Sequence, residues 1–263
     1  MKALVSLVGA GLGDPDLLTL KALRRLREAD LVLFDALVSP EVVALAPGAR
    51  RFCVGKRAGR PGVAQETINR LLVRAARRGQ RVVRLKCGDP YLLGRGGEEA
   101  LALAAAGVPF ETVPGVSAAL AAPALAGIPV THRGLSSAVL VVSGHAEAAW
   151  RGPLEGLRPG SVTVVVLMGL AARAAVASLL MERGWPGDTP SAVLWAASTP
   201  RAALWNGALA ALGSASPPAS CRDAPGTLVV GKVVSLGHAL AWGAGAEAQA
   251  SGDEADIAGR RTT

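Results

Sequence analysis

Short apolar runs alternate with amphipathic stretches through the first half of the chain. "ALVSLVG" (Ala3 to Gly9), "LVLFD" (Leu31 to Asp35), "RFCV" (Arg51 to Val54), "RVVRLK" (Arg81 to Lys86) and "PFETV" (Pro109 to Val113) predict strands. Between them, Asp14 followed by Pro15 predicts a helix start, since a short acidic cap and a proline at the first position both favour one. "QETINRLLVRAARRG" places Ile68, Leu71, Leu72 and Ala75 on one stripe of a helix that ends at Gly79. A further helix is expected from about Gly97 to Ala106. This rhythm implies a mostly parallel sheet whose loops at the strand C-termini form the site.

After "VPGVSAAL" the rhythm loosens. Strands are expected at Ser137 to Gly144, Ser161 to Gly169, Ser191 to Ser198 and Thr227 to Val234, with a helix from Leu170 to Glu182. The pattern predicts two α/β domains, residues 1–113 and 114–242, the second with a mixed sheet. Residues 243–263 lack apolar periodicity and are expected to be a disordered tail.

Composition narrows the function classes. The 263 residues carry a formal charge of +8 and a pI near 10.2, which favours a polyanionic partner. Nucleic acid, an anionic membrane surface and a small polycarboxylate all qualify, but no Lys/Arg block is interleaved with aromatics, which weakens the nucleic-acid reading. Cys53, Cys87 and Cys221 are scattered and form no CxxC pair, and His132, His145 and His238 are equally dispersed. That spacing argues against a disulfide framework or a metal cluster and fits a reducing compartment. No stretch reads as a signal peptide or a membrane span, so a soluble cytoplasmic protein is expected.

The opening loop, "VGAGLGDPDLLTLKAL" (Val8 to Leu23), has Gly9, Gly11 and Gly13 after a strand. Small residues there let a ligand approach the backbone. A dinucleotide site needs G-x-G-x-x-G with an acidic residue some 20 positions on. Asp35 meets the second requirement, but Asp14 stands where the third glycine belongs. A dinucleotide site and a purely structural turn both stay open on this loop alone. Later loops add charge. "VGKRAGRPG" carries Lys56, Arg57 and Arg60, and "RLKCGDPYLLGRGGEE" carries Arg84, Lys86, Asp89 and Arg95. "GIPVTHRGLSS" adds Thr131, His132 and Arg133. Cations at several strand ends describe a pocket for a multiply charged anion.

Together with "PGVSAALAAPALAGIPVTHRGLSS" and "TPR" at Thr199 to Arg201, these motifs resemble the S-adenosylmethionine (SAM) dependent tetrapyrrole methylases, in particular the uroporphyrinogen-III C-methyltransferase branch. The resemblance runs from about Leu4 to Val234. It implies two α/β domains with the active-site cleft between them, a homodimer, and glycines in the opening loop that leave room for methyl donor and acceptor. Neither a metal, nucleic acid nor a membrane is implied. It further implies a stand-alone methylase that makes precorrin-2 and releases S-adenosylhomocysteine.

By motif, SAM is expected to contact Leu12, Cys87, Gly88, Asp89, Leu92, Ser117 and Ala118, with Met168, Ala197 and Gly226 completing its pocket. Asp35 matches the family's proton acceptor and Lys56 its proton donor. Arg57, Arg60, Arg84, Arg95 and Arg133, with Thr131 and His132, are expected to meet the substrate carboxylates, which guanidinium groups bind bidentately. Three positions depart from the family pattern: Leu12 replaces a proline, and Cys87 and Ala197 replace glycines. The alternatives are a related methylase acting on a later corrin or on ribosomal RNA, an NAD-dependent oxidoreductase, and a tetrapyrrole carrier that consumes no SAM.

Overall fold

In the computed structural model, which describes residues 4–55 and 62–240, the apolar runs of the first half form one five-stranded sheet. Its strands are β1 (Val5–Gly9), β2 (Leu31–Phe34), β3 (Arg50–Cys53), β4 (Val82–Lys86) and β5 (Phe110–Val113), in the order β3-β2-β4-β1-β5. Every pairing in it is parallel. β1 and β4 are buried along their whole length, which is why they read as nearly continuous apolar runs. Edge strand β3 instead shows Arg50, Arg51 and Phe52 to solvent, and its arginines discourage pairing with another edge.

Helices α1 (Leu20–Glu28), α2 (Pro40–Ala44), α3 (Gln65–Arg77) and α4 (Gly96–Ala105) cover this sheet. One apolar layer joins Leu7, Leu33, Ile68, Leu72, Val82 and Leu103; the other joins Val8, Leu26, Val32, Val42 and Leu85. Two expectations need correction. Asp14 caps only a 3-10 turn, Pro15–Leu17, accepting from the Asp16 amide at 2.8 Å. Leu18 is extended (ψ 144°), so α1 starts afresh with the Thr19 hydroxyl accepting from the Ala22 amide at 3.1 Å. Leu71 lies at the flank of its stripe and is 39% exposed, while Ile68, Leu72, Ala75 and Ala76 meet the sheet.

A charge cluster pins α1 to β5. Glu111 accepts from Ser6 Oγ at 2.9 Å, pairs with Lys21 at 2.7 Å and binds the Arg25 guanidinium. Partial burial pushes its pKa up, but the hydrogen bonds from Arg25, Lys21 and Ser6 outweigh this and bring it from 4.5 to about 2. A depressed carboxylate stabilises the fold fully above the unfolded value, and that contribution is lost as pH falls from 4.5 towards 2. Glu111→Gln is therefore expected to cost about 1–2 kcal/mol at neutral pH after allowance for solvent screening. The gap to the parent protein should narrow below pH 4.5; urea unfolding at a series of pH values measures it.

The second sheet contains β6 (Val139–Ser143), β7 (Thr163–Leu167), β8 (Pro190–Trp195), β9 (Ala203–Ala208) and β10 (Gly226–Val230), in the order β6-β7-β10-β8-β9. β6 and β7 run parallel and β7 and β10 antiparallel, so this sheet is mixed. Helices α5 (Ala118–Leu125), α6 (Glu147–Glu155) and α7 (Arg173–Glu182) complete the pattern. The run from Thr227 does not continue as strand to Val234. Gly231, at φ +148°, turns it into a 3-10 helix, Lys232–Leu236. β9 was not predicted: its "ALWNGA" lacks alternation, and nearly all its residues are half-buried.

The chain groups into two compact units that interleave in sequence. Among the described residues, the first holds those up to Ala122 together with Trp195–Ala203 and Pro217–Gly226; the second holds Pro123–Leu194, Leu204–Ser216 and those from Thr227 to Leu240. The tail predicted over 243–263 lies outside the described residues. Among the described residues, no helix is long and apolar enough to cross a membrane, and no three His, Cys, Asp or Glu side chains are grouped to hold a metal ion.

Candidate active site

The ends of β1, β4 and β5 meet at three glycines. A Cβ on Gly9 would lie 2.4 Å from Gly115 Cα and 2.6 Å from the Gly88 carbonyl oxygen, and one on Gly115 would lie 2.3 Å from that oxygen. Gly11 and Gly88 form an isolated bridge: the Gly88 amide donates to the Gly11 carbonyl at 2.8 Å, and the Gly11 amide to the Gly88 carbonyl at 3.3 Å. Both have positive φ, +67° and +66°. The room expected for a ligand at Gly9 is thus taken by neighbouring backbone. That glycine is there because three strand ends pack main chain against main chain.

Asp89 fixes the same junction. Its Oδ2 accepts from the Gly115 amide at 3.0 Å and its Oδ1 from the Tyr91 amide at 2.8 Å. Leu12, Cys87, Gly88, Leu92, Ser117 and Ala118 are all half-buried, in neither the core nor open solvent. Ser117 caps α5, its hydroxyl accepting from the Ala119 amide at 3.2 Å. Leu93 and Arg95, at φ 54° and 60°, strain the turn before α4. Arg95 is exposed and forms a fork with Glu98, with bonds of 2.8 and 2.7 Å.

Loops from two further places join the first glycine loop. Ser39 Oγ donates to the Gly13 carbonyl at 2.7 Å, and the Asp14 amide donates to Ser198 Oγ at 3.2 Å. Ala196 and Ser198 flank half-buried Ala197 at φ 48° and 63°, and this turn is held by Thr199, whose amide and hydroxyl both donate to the Ala196 carbonyl. Gly226 opens β10 and is half-buried.

Cys87 accommodates its departure from glycine. The side chain packs against the apolar layer that contains Val8, Val32 and Leu85, and its thiol lies 3.7 Å from the Gly11 carbonyl oxygen. Burial, reinforced by the Asp35 charge, pushes the thiol pKa up to about 11. It is a neutral, inert thiol at physiological pH. Iodoacetamide labelling followed by peptide mass spectrometry should leave Cys87 unmodified in the folded protein until the pH nears 11.

Asp35 follows β2, its amide donating to the Leu85 carbonyl at 3.1 Å and its side chain 30% exposed. Beside it lies a buried charge cluster. Alternation along β4 puts Arg84 and Lys86 on one face, each only 2% exposed. Arg84 Nε donates to Glu99 at 2.9 Å, Nη1 to the Leu33 and Leu85 carbonyls at 3.4 and 3.1 Å, and Nη2 to Asp35. Lys86 Nζ donates to Glu99 at 3.2 Å and lies 3.6 Å from Asp35 Oδ2. Burial, with the adjacent Arg84 charge, lowers the Lys86 pKa against the opposing pull of Asp35 and Glu99.

Arg84 therefore leaves the set expected to bind substrate carboxylates. It is buried and its donors are committed within the protein. Glu99, fully buried on α4, was not anticipated, although two cations on one face of an apolar strand demand buried counter-charges. Lys56, Arg57 and Arg60 lie outside the described residues. The preceding Gly55 packs on the loop after Asp35, since a Cβ there would lie 2.2 Å from the Ala36 amide nitrogen. In the second unit, Met168 follows β7 at φ 57° and is 50% exposed; Thr131, His132 and Arg133 lie on an exposed turn closed by the His132 amide and the Ser136 carbonyl.

The chain belongs to the tetrapyrrole (corrin/porphyrin) methylases, whose family model matches residues 4–213. It is 46% identical over 244 residues to siroheme synthase 1 of Yersinia enterocolitica, a match covering 90% of this chain and 50% of that protein. The chain thus spans about half the length of such relatives. Among solved structures it is similar to uroporphyrin-III C-methyltransferase from Thermus thermophilus, with 42% identity, a TM-score of 0.76, and coverage of 90% of this chain and 98% of that one. The same Thermus enzyme complexed with S-adenosyl homocysteine matches with 42% identity and a TM-score of 0.74, over 88% of this chain and 99% of the other.

Proposed function

We propose that this chain is a SAM-dependent C-methyltransferase that converts uroporphyrinogen III to precorrin-2 by two successive methyl transfers, in sirohaem or cobalamin synthesis. The observation that carries this reading is the 42% identity to the Thermus methyltransferase across nearly all of that chain. The half-buried surface around the Gly88 turn fits the donor. It combines backbone polar groups with the short apolar side chains of Leu12, Leu92 and Ala118, which suit an adenosyl group. Cys87, Gly88, Asp89 and Ser117 join these residues in holding SAM, and Met168, Ala197 and Gly226 are assigned to the same pocket. Asp89 acts there by shaping the turn, since both its oxygens already accept from backbone amides.

When bound, SAM supplies an electrophilic methyl group, and the protein's first task is to hold the pyrrole carbon in line with it. Methylation leaves a cationic, iminium-like pyrrole, which must lose a proton. Asp35, whose side chain is partly open to solvent, takes that proton, and Lys56 serves as the donor in the tautomer shifts that follow. The tetrapyrrole carries acetate and propionate groups, and Arg57, Arg60, Arg95 and Arg133, with Thr131 and His132, are assigned to them. Arg95 can exchange its exposed partner Glu98 for a substrate carboxylate, because a surface pair of this kind is worth only about 0–1 kcal/mol. The working form is assigned as a cytoplasmic homodimer, as the family resemblance suggests.

Transfer of label from methyl-labelled SAM tests the reading, with uroporphyrinogen III and structured RNA offered as competing acceptors. Label is expected in the tetrapyrrole alone. Label in RNA, or in neither acceptor, would remove the assignment.

A further inference from the structure

The charge cluster on β4 does more than neutralise itself. Two basic side chains, Arg84 and Lys86, face two carboxyl groups, Asp35 and Glu99, so their formal charges balance. Such a buried set is weak evidence for stability, because desolvation offsets most of the attraction. Its geometry, however, is unequal towards the two oxygens of Asp35. Arg84 is immobilised at three of its corners: Glu99 holds Nε, two backbone carbonyls hold Nη1, and the remaining Nη2 reaches Asp35 Oδ1. Oδ2 faces Lys86 at 3.6 Å, an ion-pair distance too long for a hydrogen bond. Lys86 is drawn instead to Glu99 Oε1, which also accepts from Arg84 and from Gln65 Nε2 at 3.1 Å.

We infer that Arg84 is a positioning residue for Asp35, and that Glu99 sets it in place. Arg84 occupies Oδ1 and fixes the plane of the carboxylate, leaving Oδ2 to take the proton released from the methylated pyrrole. Glu99 contributes twice, by orienting the guanidinium and by holding the Lys86 ammonium off Oδ2. This inference rests on the proposed role of Asp35 as proton acceptor. A planar fork is required for the task, since lysine offers a point charge without a fixed plane. The selection of one oxygen is a geometric effect of about an ångström, and misplacement on that scale can cost a catalytic group on the order of 10²-fold.

A double-mutant cycle separates positioning from mere support of the fold. Single-turnover rates at saturating SAM would be compared for the parent protein, Arg84→Lys, Asp35→Asn and the double variant, with SAM affinity by calorimetry and melting temperature alongside. Arg84→Lys is expected to slow transfer roughly 10–100-fold with SAM affinity kept within about 3-fold, and to add less than about 2-fold in the Asp35→Asn background. Rate losses that multiply, or an unchanged Arg84→Lys rate, would overturn the inference. An Asp35→Asn rate equal to the parent's would overturn the underlying proton-acceptor reading, and is distinguishable for that reason. Should Arg84→Lys fail to fold, the near-isosteric Glu99→Gln serves in the same cycle. By releasing Lys86 towards Oδ2 it is expected to slow transfer about 10-fold, non-additively with Asp35→Asn; an unchanged or fully additive rate would count against the inference.

Discussion

Asparagine in place of Asp35 is expected to slow methyl transfer by about 10²–10⁴-fold, the range associated with loss of a positioned acid–base group. The substitution keeps the shape of the side chain and an oxygen for Arg84, so the loss is confined to the proton-accepting step. SAM affinity should stay within about 3-fold, because no SAM contact is assigned to Asp35. Melting temperature should fall as well, because the neutral side chain removes one of the two counter-charges of buried Arg84 and Lys86, so rates are compared on folded protein. Rapid-quench single turnovers with both substrates saturating read the rate directly. A rate within a few fold of the parent would assign the proton to another acceptor.

The second large effect is structural and reaches the site through the backbone. Gly115→Ala places a methyl group 2.3 Å from the Gly88 carbonyl oxygen and 2.6 Å from Gly9 Cα. Both obstacles are main chain at the ends of fully paired strands, so relief requires that β1, β4 and β5 move apart. A loss of about 3–5 kcal/mol is expected, above the usual range of about 1–3 kcal/mol for overpacking because the obstacles are backbone, with SAM binding weakened at least about 100-fold in any folded remainder. Gly97→Ala is the control. Nothing lies within 4 Å of its Cβ position, in the first turn of α4, and alanine there should stabilise by about 0.5–1 kcal/mol. Urea unfolding and calorimetric SAM titration distinguish the two.

In the first sheet β1 and β4 are the most legible strands, because they are buried along their whole length and stand out as apolar runs. β9 was not, because its residues are half-buried and its pattern follows no single period. Asp14 misled for a related reason: the capping signal was real, but it served one 3-10 turn before Leu18 straightened. In the site, Gly9 alone of the opening-loop glycines has its Cβ position filled by backbone, whereas those of Gly11 and Gly13 meet nothing closer than 3.5 Å. Sequence shows where a Cβ is missing, and only the fold shows that Gly9 meets Gly115. Arg84 was misplaced because a charge at a strand end usually faces solvent. The alternation of Arg84 and Lys86 beside "GEE" held the corrective signal, two buried cations with acidic residues close by in the chain.

The central claim is methylation of a tetrapyrrole on carbon, and one anaerobic incubation tests it. Purified protein, SAM and freshly generated uroporphyrinogen III would be combined, and the methyl groups gained by the tetrapyrrole counted by mass spectrometry. The account predicts that the singly methylated species rises and falls and that a product with two added methyl groups accumulates. A tetrapyrrole that gains no methyl group, from protein that binds SAM in calorimetry, would contradict it.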